Sequence, residues 1–447
     1  MTNAPTQAAT PSTPADETEA PNVTFGEALR FWTWLGCVSF GGPAGQIAIM
    51  HRELVEKRRW ISEERFLHAL NFCMLLPGPE AQQLATYIGW LKHGTRGGVA
   101  AGVLFVLPGF FLITAISVIY ALYRSWPPIE GVLFGLKAAV LAVVVEAVLR
   151  IGKRALKDRV SWWIAFLAFA AIFAFQVPFP AIVLAAALLG YFRYRGGQVA
   201  HTATVTADAQ SASGSVWRTV LVYGLLWALP ILGLWLTLGA MHVLTIESVF
   251  FSKMAVVTFG GAYAVLAYVA QEAVNHYQWI SADDMLQGLA LAETTPGPLI
   301  LVLTFVGFLA AFGNAAPLDP LTAGLLGALV TTWVTFVPCF LWIFLGAPHI
   351  ERLRHQRALS SALAMVTAAV VGVILNLALW FALHALFRQV DTWHAGVLRV
   401  PVPDLSSIEG MAALIAVAAA VALLRFKAPM LLVLAASSVA GLLVRML

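Results

Sequence analysis

Ionisable side chains inside apolar stretches are the first candidates for chemistry in this 447-residue chain: Arg30, Lys137, Lys253, Glu80, Glu146, Glu293 and His68. A charge in lipid is costly, so each is a functional hypothesis by default. Pro77-Gly78-Pro79 and Pro296-Gly297-Pro298 interrupt two further apolar stretches, and Gly41-Gly42-Pro43 and Gly260-Gly261 interrupt two more. Such breaks free backbone groups that lipid cannot satisfy, so they persist only where buried in protein or lining a watery cavity. Pro79 suits the first position of a half-helix running to Leu91, and Pro298 that of a second. Helix N-termini bind anions through free N–H groups and the macrodipole. A carboxylate beside such a site repels an anion unless protonated, which makes Glu80 and Glu293 candidates for proton coupling, with Glu146 and His68 behind them. The plainer readings are that Glu80 complements its own helix N-terminus, Glu146 pairs with Lys137, and Arg30 and Lys253 snorkel to an interface.

The elements that must position these groups are duplicated. Phe40-Gly41-Gly42, Trp60-Ile61-Ser62 and Pro77-Gly78-Pro79 return as Phe259-Gly260-Gly261, Trp279-Ile280-Ser281 and Pro296-Gly297-Pro298, all at one offset of 219 (259 − 40 = 296 − 77). From Val38 to Pro79, 15 of 42 positions match their partners, where chance gives about three. The copies differ in charge. Arg52, Lys57, Arg58, Arg59 and Arg65 are replaced by Gln271, His276, Tyr277, Gln278 and Asp284. Basic loops stay in the cytoplasm, so the two copies are expected upside down relative to each other. Inverted repeats with broken segments are the signature of a transporter with a mid-membrane site.

Composition agrees. Sixty per cent of residues are hydrophobic and 11% charged, with a mean hydropathy of +0.82. A soluble domain carries about 25% charged residues. Spans are expected near 98–123, 131–150, 217–241, 321–346 and 359–387, with short hairpins at 162–176/180–192 and 409–424/429–444. The interrupted segments are 25–50, 66–91, 248–270 and 285–312, and the charged loops flanking 66–91 favour a re-entrant path there. The expected organisation is a disordered cytoplasmic tail (1–22), a first repeat (23–192), a cytoplasmic linker (193–216), a connecting span (217–241) that flips the second copy, and a second repeat (242–447). The fold class is thus an all-α polytopic membrane protein of two homologous inverted repeats with broken or re-entrant helices. Cys37, Cys73 and Cys339 have no metal-ligand spacing, no phosphate-binding loop or nucleophile elbow occurs, and the small net charge of +4 gives no case for nucleic acid. No metal, cofactor or enzymatic activity is expected.

The ordered set resembles the chromate ion transporter family, long form. It rests on Phe40-Gly41-Gly42-Pro43, Glu53, Arg58-Arg59-Trp60-Ile61-Ser62, Leu76-Pro77-Gly78-Pro79 and Tyr87-Ile88-Gly89, and on the counterparts Phe259-Gly260-Gly261, Glu272, Trp279-Ile280-Ser281, Pro296-Gly297-Pro298 and Val306-Gly307. The second copy departs at Ala262 and in lacking the Arg pair. The resemblance implies an inner-membrane chromate exporter that confers resistance. A tetrahedral dianion needs cations and donors, so Arg30, Lys137 and Lys253 are candidate ligands, with Asn71, Gln82, Gln83, Thr294 and Thr295 as neutral donors beside the two sets of broken helices. Sulfate has the same shape and charge; an oxyanion uptake symporter and an anion channel are the competing readings. Lipid surrounds the chain, and a homodimer is allowed.

Overall fold

The computed structural model describes residues 23–195, 213–259, 261–349, 357–396 and 398–446. The first half comprises α1 (Phe25–Val38), α2 (Gly42–His51), α3 (Glu63–Cys73), α4 (Glu80–Tyr123), α5 (Pro127–Ala155), α6 (Arg159–Phe175) and α7 (Phe179–Arg195). After α8 (Ser213–Leu238) the order recurs as α9 (Val243–Val257), α10 (Ala262–Ala270), α11 (Ala282–Thr294), α12 (Val302–Gly313), α13 (Pro320–Gly346), α14 (Arg357–Leu386), α15 (Gly410–Leu424) and α16 (Met430–Met446). A hairpin of β1 (Val390–Ala395) and β2 (Leu398–Pro403) precedes α15. Five of the described helices are long and apolar enough to cross a membrane, and they cover the five expected spans. This is an all-α, multi-pass membrane protein. The tail at 1–22, most of the linker, and Gly260 lie outside the described residues.

Local chemistry sets the helix starts. Thr24, Ser62, Ser281 and Asp319 each accept a main-chain N–H in the first turn of the helix they precede. The copies match beyond their identical residues. α2 runs into a π-helical turn at Arg52–Lys57 and α10 into one at Gln271–His276. Arg59 and Gln278 then share a left-handed φ of 53°, and the N–H groups of Trp60 and Trp279 each donate over 2.8 Å, to the carbonyls of Leu54 and Ala273.

In each half the Pro-Gly-Pro forms the tip of a helical hairpin. Phe72 of α3 meets Tyr87 of α4 with ring centroids 5.7 Å apart. In the second half the α-carbon of Gly288 lies against Phe305. α3 has 11 residues, about 16 Å, too short to span a membrane. The 66–91 segment is therefore a hairpin of short arms. α4 itself folds back at His93 and Gly94, whose backbone leaves the helical region. Its arms, 80–92 and 95–123, touch where Gly89 meets Gly97 and Thr86 meets Gly102. No side chain larger than glycine fits there: a Cβ on Gly97 would lie 2.3 Å from the Gly89 carbonyl oxygen.

The halves are interlaced reciprocally. α5 of the first packs on α15 and α16 of the second, and α14 of the second packs on α6 and α7 of the first. α4 and α13, equivalent long helices, touch at Gly98–Phe344 and Gly102–Phe340, so they run in opposite directions. Two-way exchange of this kind is what a twofold relation between units produces.

Candidate functional site

The site is built around the two hairpin tips. Gly78 has φ +123° and Gly297 has φ +97°, a region side chains avoid. The N–H of Gly78 donates to the carbonyl of Thr258 over 2.9 Å, and the N–H of Gly297 donates to Ser39 over 2.9 Å. Thr258 stands 219 residues after Ser39, as Gly297 does after Gly78. Each tip is thus held by the residue just ahead of the other copy's Phe-Gly-Gly. Along the second arm of α4, the first hairpin's base lies at Gly97. Gly109 abuts the Pro296 carbonyl at the second tip, and Tyr120 and Arg124 reach Asp284 at the second base. The hairpins therefore approach from opposite ends of one helix, tips inward.

Gly78, Pro79, Pro296, Gly297 and Pro298 are buried in protein, and Pro77 is half-buried. Pro79 and Pro298 sit one residue earlier than expected: each is the residue before the first helical one, and the helical turns begin at Glu80 and Leu299. The first-turn N–H groups of both helices consequently face the protein interior. Gly41 (φ +87°) precedes α2, Gly42 is its first residue and Pro43 follows; Gly261 (φ +95°) precedes α10.

Polar side chains lie at both tips. Gln83 Nε2 donates to the Pro77 carbonyl over 2.7 Å, Gln82 Nε2 to Thr86 Oγ1 over 3.2 Å, and Gln46 Nε2 to the Gly297 carbonyl of the opposite tip. The amide oxygens of Gln46, Gln82 and Gln83 are buried without a hydrogen-bond partner among the described residues. Buried polar atoms are bonded in the great majority of cases, so each of these oxygens can accept a hydrogen bond from water or a ligand. At the second tip the equivalents of Glu80, Gln82 and Gln83 are Leu299, Leu301 and Val302. There the polar groups are Gln46 and buried Glu293, which accepts a hydrogen bond from Tyr263.

The other expected residues are scattered. Lys137 donates to Asp283 over 2.8 Å, bridging α5 and α11, and Glu146 pairs with Arg150 at 3.5 Å, so the Lys137–Glu146 pairing gives way to two others. Arg30 and Lys253 are exposed on α1 and α9, and Asn71 is exposed on α3. Thr294 and Thr295 turn their hydroxyls onto their own helix, at the Leu291 and Ala292 carbonyls. His68 lies 3.8 Å from Glu64. Glu80 is half-buried at the first tip. Sequence reasoning missed Gln46, Thr86 and Tyr263. A polar residue four positions after a Gly-Gly-Pro break was a usable signal for Gln46; Tyr263 had none. A separate cavity of about 590 Å³ lies under the β-hairpin, with His276, His394 and Arg399 in its wall.

The family model for the chromate transporter matches residues 26–191 and 248–442, one stretch in each half. This chain belongs to the chromate transporter family. Among its relatives, the chromate transport protein of Pseudomonas aeruginosa is 34% identical over 80% of this chain and 81% of its own length. The chromate transport protein of Cupriavidus metallidurans is 28% identical over 79% and 82%, and the probable chromate transport protein of Synechococcus elongatus 25% over 88% and 96%. No solved structure matches the fold. Within the chromate transporter family match, the break between the two stretches contains α8, the helix with no counterpart.

Proposed function

We propose that this chain is a secondary transporter that carries chromate out of the cell through a site between the two hairpin tips. The reciprocal main-chain bonds of Gly78 to Thr258 and Gly297 to Ser39 carry the reading, because they bring two interrupted helices into one buried place. Names of relatives supply the substrate. Backbone N–H groups of the first turns at Glu80 and Leu299 hold the oxyanion, and the uncommitted faces of Gln46, Gln82 and Gln83 complete its shell with water. Glu80 and Glu293 accompany the substrate as proton sites. Lys137 contributes positive potential from its Asp283 pair; Arg30 and Lys253 act at the membrane surfaces.

The halves lie inverted in the inner membrane, N-terminus inside. Support comes from the loss of all five cations between the copies, the opposed α4 and α13, and the single extra crossing of α8. Moving two negative charges out of an inside-negative cell is favourable by about 4.6 kcal/mol per 100 mV, which alone sustains a gradient of over a thousandfold. Sulfate shares the site's requirements and competes.

The test is flux of labelled chromate in inverted vesicles with an imposed potential. Accumulation in vesicles made positive inside, saturable and inhibited by sulfate, is expected. Flux without saturation or counterflow indicates a channel, and accumulation only under the reverse potential indicates uptake.

A further inference from the structure

Glu247 takes no part in the site above, yet it is the strangest carboxyl in the molecule. It lies in the second turn of α9 with no exposed surface, and neither of its oxygens has a hydrogen-bond partner among the described residues. Its neighbourhood is defined by α13 and α12. A Cβ added to Gly327 would come 3.0 Å from Glu247 Oε1 and 2.4 Å from the Gly307 carbonyl oxygen, so the two glycines hollow out the carboxyl's seat. One turn beyond Gly327, on the same face of α13, stands Thr331. A Cβ on Gly307 would lie 2.2 Å from its Oγ1, and that buried hydroxyl also has no partner among the described residues. Two unpartnered buried groups meet at one three-helix junction.

Among the described residues no cation pairs with Glu247. α12 and α13 contain no Asp, Glu, Lys, Arg or His, and α8 offers only Arg218 and Tyr223 in its first half. On α9, Lys253 is exposed, and His242 caps the helix through Nδ1, its buried Nε2 having no partner among the described residues; Asp319 caps α13 at its own first turn. An isolated carboxylate is too costly to bury, whereas the neutral acid is tolerated. The counterpart in the first half is Ala28, so the fold does not need an acid there.

We infer that Glu247 is a carrier site for one proton, loaded and unloaded as α9 separates from the α12–α13 pair during the transport cycle. The step is a simple exchange: the carboxylate takes a proton from water on one side and returns it to water on the other, with no other bond changed. The inference rests on the transport reading above and adds to Glu80 and Glu293 a third proton site, away from the tips.

Purified protein in liposomes containing a pH-sensitive dye provides the test, with chromate counterflow measured in parallel. Wild type is expected to show a chromate-dependent change of internal pH. Glu247→Gln should cut that signal at least tenfold while counterflow stays within twofold. Glu247→Asp should keep coupling with a shifted pH midpoint, and it decides the matter if the Gln variant does not fold; an unshifted midpoint overturns the proposal. So does an undiminished proton signal in Glu247→Gln, or a flux that follows a sodium gradient and ignores pH. Counterflow without any proton signal in wild type removes this proposal and the proton roles of Glu80 and Glu293 while leaving the anion site, whereas absence of counterflow removes the transport reading and the proposal with it.

Discussion

The two hairpins have the same plan and opposite surroundings. α11 is buried at Asp284–Ala290, Ala292 and Glu293, and it packs on α5, α12 and α14. α3 buries only Phe66, Ala69, Phe72 and Cys73 and packs chiefly on α4, leaving Asn71, Leu67 and Met74 exposed. Charge explains the difference. Asp284, which caps its own helix with Ser281, also accepts Tyr120 Oη over 2.6 Å and Arg124 over 2.7 Å, and Asp283 takes Lys137. At the equivalent positions α3 carries Arg65 and Glu64, both exposed. One hairpin base is latched to the opposite half and the other is open. On the proposed transport reading, two equivalent hairpins in different states describe one end of an alternating cycle.

The largest effect should come from the tips. Gly78→Ala forces a side chain into a left-handed backbone, with Cys339 Sγ and Gln83 Nε2 each 2.8 Å from the new Cβ. Strain and overpacking together cost roughly 2–5 kcal/mol, enough to abolish folded protein on size-exclusion chromatography or cut transport over tenfold. Gly297→Ala meets its nearest atom at 3.0 Å and should be the milder of the two; equal losses would break the asymmetry. Next comes the latch. Asp284→Ala strands Tyr120 and Arg124 and should lower stability by roughly 2–3 kcal/mol, read from the unfolding midpoint, while Arg65→Ala stays within about 0.5 kcal/mol.

Accessibility sharpens the comparison directly. In a background without native cysteines, Asn71→Cys should react with a maleimide at least tenfold faster than Ala290→Cys, its equivalent 219 residues on; similar rates would mean that both hairpins are open. A double-mutant cycle of Lys137→Met and Asp283→Asn should give a coupling of about 0.5–1 kcal/mol in stability. If Lys137→Met lowers chromate affinity equally with and without Asp283, the lysine acts as a ligand and the latch loses a member. The smallest effect concerns Glu53 at the first π turn. A hydrogen bond from Lys57, 2.7 Å away, holds its carboxyl below the ordinary 4.5 despite burial. Its contribution is therefore present above pH 4.5 and lost as pH falls through the lower folded value. Glu53→Gln should flatten that part of an acid-stability curve.

Much of this was written plainly in the chain. Apolar length located the spans, and the repeated Pro-Gly-Pro located the tips, because both signals are local. The turn at His93 and Gly94 was legible as the charged, glycine-rich stretch between the 66–91 and 98–123 segments, but the close packing of the two arms was not, because it depends on Gly89 meeting Gly97. Lys137 was visible as an anomaly, but its partner lies 146 positions away in the other half, and pairing at that range is a tertiary fact. Glu247 escaped notice because nothing about an acid near a helix start distinguishes a water-facing cap residue from one sealed between three helices. The β-hairpin at 390–403 was hidden by its length, too short to interrupt the hydropathy pattern.

The crossed main-chain bonds at the tips bear on how the protein is made. When Gly78 leaves the ribosome, the carbonyl that will receive its amide lies 180 residues ahead (258 − 78) and does not yet exist. The first half must wait in the bilayer with its tip unfinished, and synthesis of the second half completes both tips in one event. A nascent chain stalled before Thr258 should therefore be the form that membrane quality control recognises and removes.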